Sequence, residues 1–265
     1  MDTGYEKKYH QIEDDYWWFQ ARRDVILRLL KKMSAPPTPQ GTRKERILEV
    51  GCSGGPLLTE LARRGYDQLA GIDISPDAVA AASERGHKRI SVMDAAQLSF
   101  ADASFDIVIA SDILEHLADD AAALREWNRV LAPGGVLIVF VPAYQWLWSG
   151  HDVINHHQRR YTASSLKKRL QEVTVPGNGT ETGKFEILRL SYWNFGLLLP
   201  VGGMRLLKRL LGRAEAHPKD ALAPVPGFVN RLLTGGLCLE NALLAAGLSY
   251  PAGVSVMAVV RKANA

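Results

Sequence analysis

The chain has 265 residues, 47% of them hydrophobic and 23% charged, enough apolar material for one generous buried core and too much for a disordered polypeptide. Lys and Arg number 32 against 28 Asp and Glu, a formal charge of +4, and the cations are spread through RRDVILRLLKK, RKER, HHQRRY, LKKR and RLLKRLLGR, so the one-sided cationic face of a nucleic-acid binder is not expected. Cys52 and Cys238 are the only cysteines, which excludes a disulfide framework and a cysteine-based metal site and suits a reducing compartment.

The opening MDTGYEKKYHQIEDDYWWF places acids and aromatics where an export signal needs a cationic end and an apolar run, so a cytoplasmic location is expected. From Tyr16 to Met33 apolar residues recur at helical spacing through Phe19, Val25, Ile26, Leu29 and Leu30, and SAPPTPQGT then breaks the helix. From Arg46 short apolar runs alternate with helical stretches. RILEV, QLAGIDI, ISVMD, FDIVIAS and VLIVFVP read as strands; the stretches between them read as helices, one running through LLTELARRG, one from Ser75 and one through ALREWNRVLAPGG. The pattern predicts a doubly wound α/β fold with a mostly parallel, seven-stranded sheet.

After Pro142 a polar loop, WSGHDVINHHQRRYT, leads into a helix through SSLKKRLQEV; Pro176 to Gly183 reads as an exposed turn, FEILRLSYWN as a strand and VSVMAVVRK as the last strand. About sixty residues rich in Leu, Gly and Pro separate those two strands, longer than most connections in a compact domain. Three sections are therefore expected: a helical preface or lid over residues 1–40, a core formed by 41–194 and 250–265, and an apolar helical insertion over 195–249. Pro200, Gly202, Gly203 and Arg205, and later Glu240 and Asn241, interrupt the insertion's apolar runs, so neither reads as a membrane span.

The chemistry starts where RILEV runs into GCSGGPLLTELARRG. Gly51 and Gly55 can take positive φ and let a ligand approach the backbone. About twenty residues later GIDIS sets Asp73 at the end of the next strand, where a carboxylate can accept from both hydroxyls of a ribose. Together they imply an adenosine-containing ligand. A nicotinamide-dependent oxidoreductase is the competing reading, but counting GxGxxG from Gly51 puts Ser53 and Pro56 at the second and third glycines, which removes the close approach a pyrophosphate needs.

The ordered motifs LEVGCSGG, GIDIS, VMDAAQLSFADASFDIVIA, SDILEHL and LREWNRVLAPGGVLIVFVP, from about Arg46 to Ala143, resemble the class I S-adenosylmethionine-dependent methyltransferases, in particular their small-molecule branch. That resemblance implies S-adenosylmethionine as methyl donor. It implies Glu49, Gly51, Cys52, Ser53 and Gly55 around the donor's methionine part, Asp73 and Ile74 at the ribose, Asp94 and Ala95 at the adenine, and Ser111 facing the donor pocket. Ser53 departs from the family's usual glycine. DDYWWFQARR is similar to the opening of a subset whose N-terminal segment folds over the site, which would place Tyr16, Trp17, Trp18 and Phe19 over the donor or the acceptor; packing into the core is the alternative.

The acceptor side is read from the loop after the fifth strand, at the edge where open α/β sheets bind ligands. His151, His156 and His157, and His116 in LEHL, are candidate general bases for a hydroxyl acceptor. Arg159 and Arg160 are candidates to clamp an anionic group, with Tyr144 and Tyr161 beside them. The spacing of the His and Asp residues matches no metal-site pattern, so no metal is assigned; a purely structural polar loop is the alternative reading. In the insertion, Leu206, Leu207, Leu210 and Leu211 alternate with Arg205, Lys208, Arg209 and Arg213, a pattern that fits an anionic membrane surface, a substrate-channel cover or packing on the core. WSGHD, HQRRYT, SYWNFGLLLP and PAGVSVMAVVRK look like a methyltransferase subset associated with glycan and lipid-linked acceptors. A small-molecule or lipid-linked acceptor with peripheral membrane contact is the expected partner, and a noncatalytic membrane-surface protein is the alternative from another class.

Overall fold

The structure is a computed structural model that describes residues 9–34, 36–39, 41–173, 184–211 and 225–263. In chain order the elements are α1 (Trp17–Met33), β1 (Ile47–Val50), α2 (Pro56–Arg63), β2 (Leu69–Asp73), α3 (Pro76–Glu84), β3 (Ile90–Val92), β4 (Phe105–Ser111), α4 (Asp120–Val130), β5 (Leu131–Pro142), α5 (Gly150–Ile154), α6 (Ala163–Gln171), β6 (Phe185–Trp193), α7 (Phe195–Leu210), α8 (Gly227–Ala246) and β7 (Ser255–Lys262). The expected turn over Pro176 to Gly183 lies outside the described residues, as do Arg213 and the side chains of Lys208 and Arg209.

The seven strands form one sheet in the order β3-β2-β1-β4-β5-β7-β6. β1 to β5 run parallel, and β7 lies antiparallel between β5 and β6. The doubly wound, mostly parallel sheet expected from the alternating pattern is therefore the fold. Its central strands are apolar almost throughout because each face carries helices. On one face Val108 and Ala110 of β4 and Leu137, Val139 and Val141 of β5 pack with Ala123, Leu124 and Trp127 of α4 and Leu166 and Leu170 of α6. On the other face Ile107, Ile109, Ile138 and Phe140 meet α1, α2 and α8.

The helix through ALREWNRVLAPGG ends sooner than its sequence suggests. Val130 closes α4, and Leu131 already has an extended backbone at φ −72°, ψ 134°. Pro133 disfavours a helical Ala132 and cannot donate to the ladder itself, and Gly134 turns to φ 74°. The APGG turn is thus a bulge within β5, across which the register with β4 jumps from Phe105↔Leu131 to Ile107↔Val136.

The N-terminal helix and the second half of the Leu-rich section belong to the sheet's cover. Val25, Ile26 and Leu30 of α1 and Leu244 of α8 are at most 1% exposed within the same apolar cluster as Met257 and Phe140. One buried amide joins them: Asn241 on α8 donates to the Ala21 carbonyl at 2.9 Å and to Asp24 at 2.9 Å, and accepts from Trp193 Nε1 at 2.6 Å. Replacing Asn241 by Leu would strand the indole N–H and two acceptors without water. The Asn241→Leu variant is expected to lose about 2–4 kcal/mol of stability by denaturant unfolding, whereas Leu239→Ser on the exposed side of α8 should change the midpoint little.

Candidate active site

β1 and β4 are hydrogen-bonded neighbours, but the chain leaves β1 toward β2 and leaves β4 toward β5. A crevice opens at their carboxyl ends, as it must at a topological switch point. It holds a cavity of about 1040 Å³, at the upper end of the size range of ligand pockets and roomy enough for two reactants.

The turn after β1 forms its floor. Gly51 and Cys52 both donate to the Ile72 carbonyl, at 2.8 and 2.9 Å. Gly51 sits at φ 72°, and a Cβ there would lie 2.0 Å from Ile113 Cδ1, so the turn is pressed against the segment that follows β4. Ser53 takes φ 50° and donates its N–H to Asp73 Oδ2 at 2.9 Å, while the Ser75 N–H donates to Oδ1 at 3.0 Å. Two amides thus aim the carboxylate and leave each oxygen further lone pairs for a diol. The Ser53 hydroxyl donates to Glu13 at 2.6 Å, which is 1% exposed and also receives Arg85 at 3.2 Å. Glu13 is a contact the sequence did not announce: it comes from a segment about forty residues upstream with no motif of its own.

Gly51, Ser53, Asp73, Ile74, Asp94, Ala95 and Ser111 line the cavity. Glu49, Cys52 and Gly55 do not, which corrects the reading of the whole turn as ligand contact. Cys52 turns its sulfur back toward Gly71 and Leu58. Gly55 is the left-handed residue at φ 81° that opens α2. Glu49 is buried at 8% exposure, and burial, reinforced by Glu13 and Asp73, pushes its carboxyl well above the usual range. Pro56 opens α2, so its first turn lacks an amide that a dinucleotide phosphate would use.

Tyr16, Trp17 and Trp18 line the opposite wall with Tyr9, His10 and Phe19. Trp18 meets Trp193 edge to face at 5.2 Å. Beneath them Arg22, 5% exposed, lies 4.1 Å from the Trp193 ring centre and 4.2 Å from that of Phe140, and reaches Asp112 and Ser255 at 3.2 Å. The Trp17 amide donates to Asn230 of α8, and Asn230 returns a bond to the Asp15 carbonyl.

The far end of the cavity is polar. His116, His151, His156 and His157 all line it, with Asp112 and Glu115. The expectation that His151 or His116 takes a proton meets an obstacle. Burial and the neighbouring His157 push both down to about 4, leaving them neutral and weakly basic near pH 7. His157 is oriented: its Nδ1 lies 2.9 Å from Asp152 Oδ1. His156, at φ 56°, is exposed.

The two arginines are already engaged. Arg160 pairs in bidentate fashion with the fully buried Asp152 at 2.7 and 2.9 Å and donates to the Ala143 carbonyl at 3.0 Å. Arg160 borders the cavity, with its charge paired to Asp152. Burial opposes the charge of Asp152, but the bonds from His157 and Arg160 hold its carboxyl below the usual range. Arg159 lies off the cavity, on Asp120 at 3.0 Å and the Ala118 carbonyl at 2.7 Å. Tyr161 is buried with its hydroxyl on Asp120, and Tyr144 stacks on Tyr192 at 5.1 Å. These three brace the wall and do not reach the cavity.

Glu115 was missed altogether. Its side chain is fully buried, and neither carboxyl oxygen bonds another described residue. The signal was its place beside His116 in LEHL, on the short turn of 3₁₀ helix after β4.

Residues 48–139 match the family model described as a methyltransferase domain. A probable S-adenosylmethionine-dependent methyltransferase of Mycobacterium tuberculosis is 33% identical over 63% of this chain and 58% of its own length. A ubiquinone biosynthesis O-methyltransferase of Azorhizobium caulinodans is 35% identical over 36% of this chain and 39% of its own. Among solved structures, the Haloferax volcanii protein in complex with the Trm112 methyltransferase activator matches with a TM-score of 0.60 at 17% identity, over 99% of this chain and 95% of that one. Over residues 48–139, from β1 to β5, the chain is therefore similar to a methyltransferase domain. It spans about three fifths of the length of the curated mycobacterial relatives it matches.

The close packing of Gly51 can be tested directly. Gly51→Ala forces a Cβ into Ile113 and strains φ, a cost of about 1–3 kcal/mol, and Ile113→Ala in the same chain should recover part of it. Additive effects in thermal unfolding would show that the two residues do not meet.

Proposed function

We propose that the protein transfers a methyl group from S-adenosylmethionine to an amphiphilic small molecule that carries a reacting hydroxyl, working at a membrane surface. The observation that carries this reading is that the Gly51–Asp73 floor and the Glu115–His116–His157 cluster line one cavity beneath one aromatic wall.

The residues present fit the donor. Asp73 offers an aimed, half-buried carboxylate for the ribose, and the left-handed turn at Gly51, packed on Ile113, borders the cavity beside it. Asp94 and Ala95 line the stretch for adenine, with Asp94 fixed by the Ala96 N–H at 2.7 Å. When bound, S-adenosylmethionine supplies an electrophilic methyl on a sulfonium that departs as a neutral thioether. The chain's own contribution is alignment and exclusion of water: the floor fixes one reactant, Tyr16, Trp17 and Trp18 cover the apolar body of the other, and the polar end receives its hydroxyl. The O-methyltransferase named above supports an oxygen acceptor over the 36% of this chain that it matches.

Two helices support the amphiphilic character. Val201, Met204 and Arg205 of α7 line the cavity, while Leu199, Leu206 and Leu210 on the opposite side are 83%, 57% and 75% exposed. On α8, Phe228, Leu232 and Leu239 form a second exposed apolar stripe at helical spacing. Large apolar side chains so exposed mark interaction surfaces. Among the described residues no helix is long and apolar enough to cross a membrane, so contact would be peripheral.

Two measurements check this. Given S-adenosylmethionine and paired phenols with and without a long alkyl or prenyl chain, the protein should form methyl ether with the chained phenol at a KM at least about tenfold lower; equal KM values would contradict an amphiphilic acceptor. In flotation with anionic vesicles at low salt the protein should rise with the lipid, and a Leu206→Ser/Leu210→Ser variant should not. Wild type remaining at the bottom would remove the membrane from the account.

A further inference from the structure

We propose that Glu115, His116 and His157 form a site for one divalent transition-metal ion at the acceptor end of the cavity. One carboxylate oxygen and two imidazole nitrogens lie within 4.8 Å of one another, and all three side chains border the cavity. Bonds of about 2.1 Å place adjacent donors about 3–3.5 Å apart and opposite donors about 4.2 Å apart.

Glu115 supplies an independent reason. Its carboxyl is completely buried and is met by its own backbone amide but by no hydrogen bond from another described residue. The charged groups that act on it are Asp112, which repels, and Arg22 and Arg160, which attract from a distance. Both guanidinium groups are engaged elsewhere, Arg22 with Asp112 and Arg160 with Asp152. Protonation does not resolve the position, because an acid O–H there would still lack an acceptor among the described residues. A cation coordinated by the carboxylate does.

The imidazoles are prepared as ligands. A metal-bound histidine usually donates its second ring nitrogen to a carboxylate or a backbone carbonyl, which fixes the tautomer and aims the lone pair. His157 places Nδ1 on Asp152, itself held by Arg160 and the Ser149 N–H. His116 is held by a hydrogen bond to the Asn155 backbone. The two rings stand 4.6 Å apart at 88°. Asp112 is occupied by Arg22 and Ser111 and is not counted as a ligand.

Two imidazoles and one carboxylate suit ions of intermediate softness, Zn²⁺, Fe²⁺ or Co²⁺, over Mg²⁺ or Ca²⁺. Three protein ligands leave coordination open toward the cavity. The chemical consequence rests on the methyl-transfer reading, whereas metal binding itself does not. An acceptor hydroxyl bound to the ion passes its proton to water; its oxygen then bonds the methyl carbon as the carbon–sulfur bond breaks, and the sulfur keeps the electron pair.

Tag-free protein stripped with chelator would be titrated with Zn²⁺ by calorimetry and with Co²⁺ by visible absorption, without S-adenosylmethionine or acceptor. One ion per chain is expected, with affinity at least about 100-fold weaker in Glu115→Gln and His157→Ala, about 10–100-fold weaker in Asp152→Asn, and unchanged in His87→Ala, a histidine outside the cavity. Circular dichroism would confirm that each variant is folded. Folded wild type that binds no ion, or binding undiminished by all three substitutions, overturns the proposal. One ion bound by a protein that transfers no methyl group would leave the metal site standing and remove the proposed reaction instead.

Discussion

The structure depends on one topological constraint: β1 and β4 are bonded side by side while the chain departs from them in opposite directions. No helix can close the gap between their carboxyl ends, so backbone amides and side chains from the two loops face a common space. The turn after β1 must then pass close over the segment after β4, and only glycine at 51 permits it, since a Cβ would fall 2.0 Å from Ile113. The same approach brings the Ser53 amide onto Asp73, and the carboxylate's direction follows from the turn's shape.

A second layer of order comes from charges held out of water. Arg22 lies beneath the aromatic wall among Trp18, Phe140 and Trp193, and pairs with Asp112 beside the buried Glu115. Arg160 and Asp152 form the corresponding pair on the other side, and Asp152 extends it to His157. Such pairs contribute less to net stability than to definition, because each partner left alone would be an uncompensated charge in an apolar setting. They fix the N-terminal helix, the end of β4 and the loop after β5 relative to one another. Glu115 lies between the two arginines without a bond to either, which makes it the place where the polar end is chemically unfinished.

The floor of the cavity was legible in the sequence because its determinants are local. A strand, a glycine turn, a helix and an acid at the end of the next strand fall within about twenty-five residues, and the parallel pairing follows from their alternation. Even there, neighbours in sequence part company in space: Gly51 and Ser53 face the cavity while Cys52 and Gly55 support it from behind. The acceptor half was less legible because its meaning is set by partners far along the chain. Arg159 and Arg160 look like an anion clamp until Asp120 and Asp152 are seen to hold them. Tyr161 looks available until its hydroxyl is found on Asp120, 41 residues away. Glu115 gives no sign in sequence that its oxygens lack a partner from another described residue. Likewise α1 and α8 read as preface and insertion, and their union through Asn241 spans 220 residues.

The central claim is that this switch-point cavity holds S-adenosylmethionine with Asp73 as its anchor. Calorimetric titration of wild type and a folded Asp73→Ala variant with S-adenosylmethionine, S-adenosylhomocysteine and NAD tests it most directly. The account predicts that both sulfur ligands bind wild type at one per chain, that affinity falls at least about tenfold in the variant, and that NAD does not bind. Preference for NAD, no binding of either sulfur ligand, or equal affinity in Asp73→Ala would contradict it.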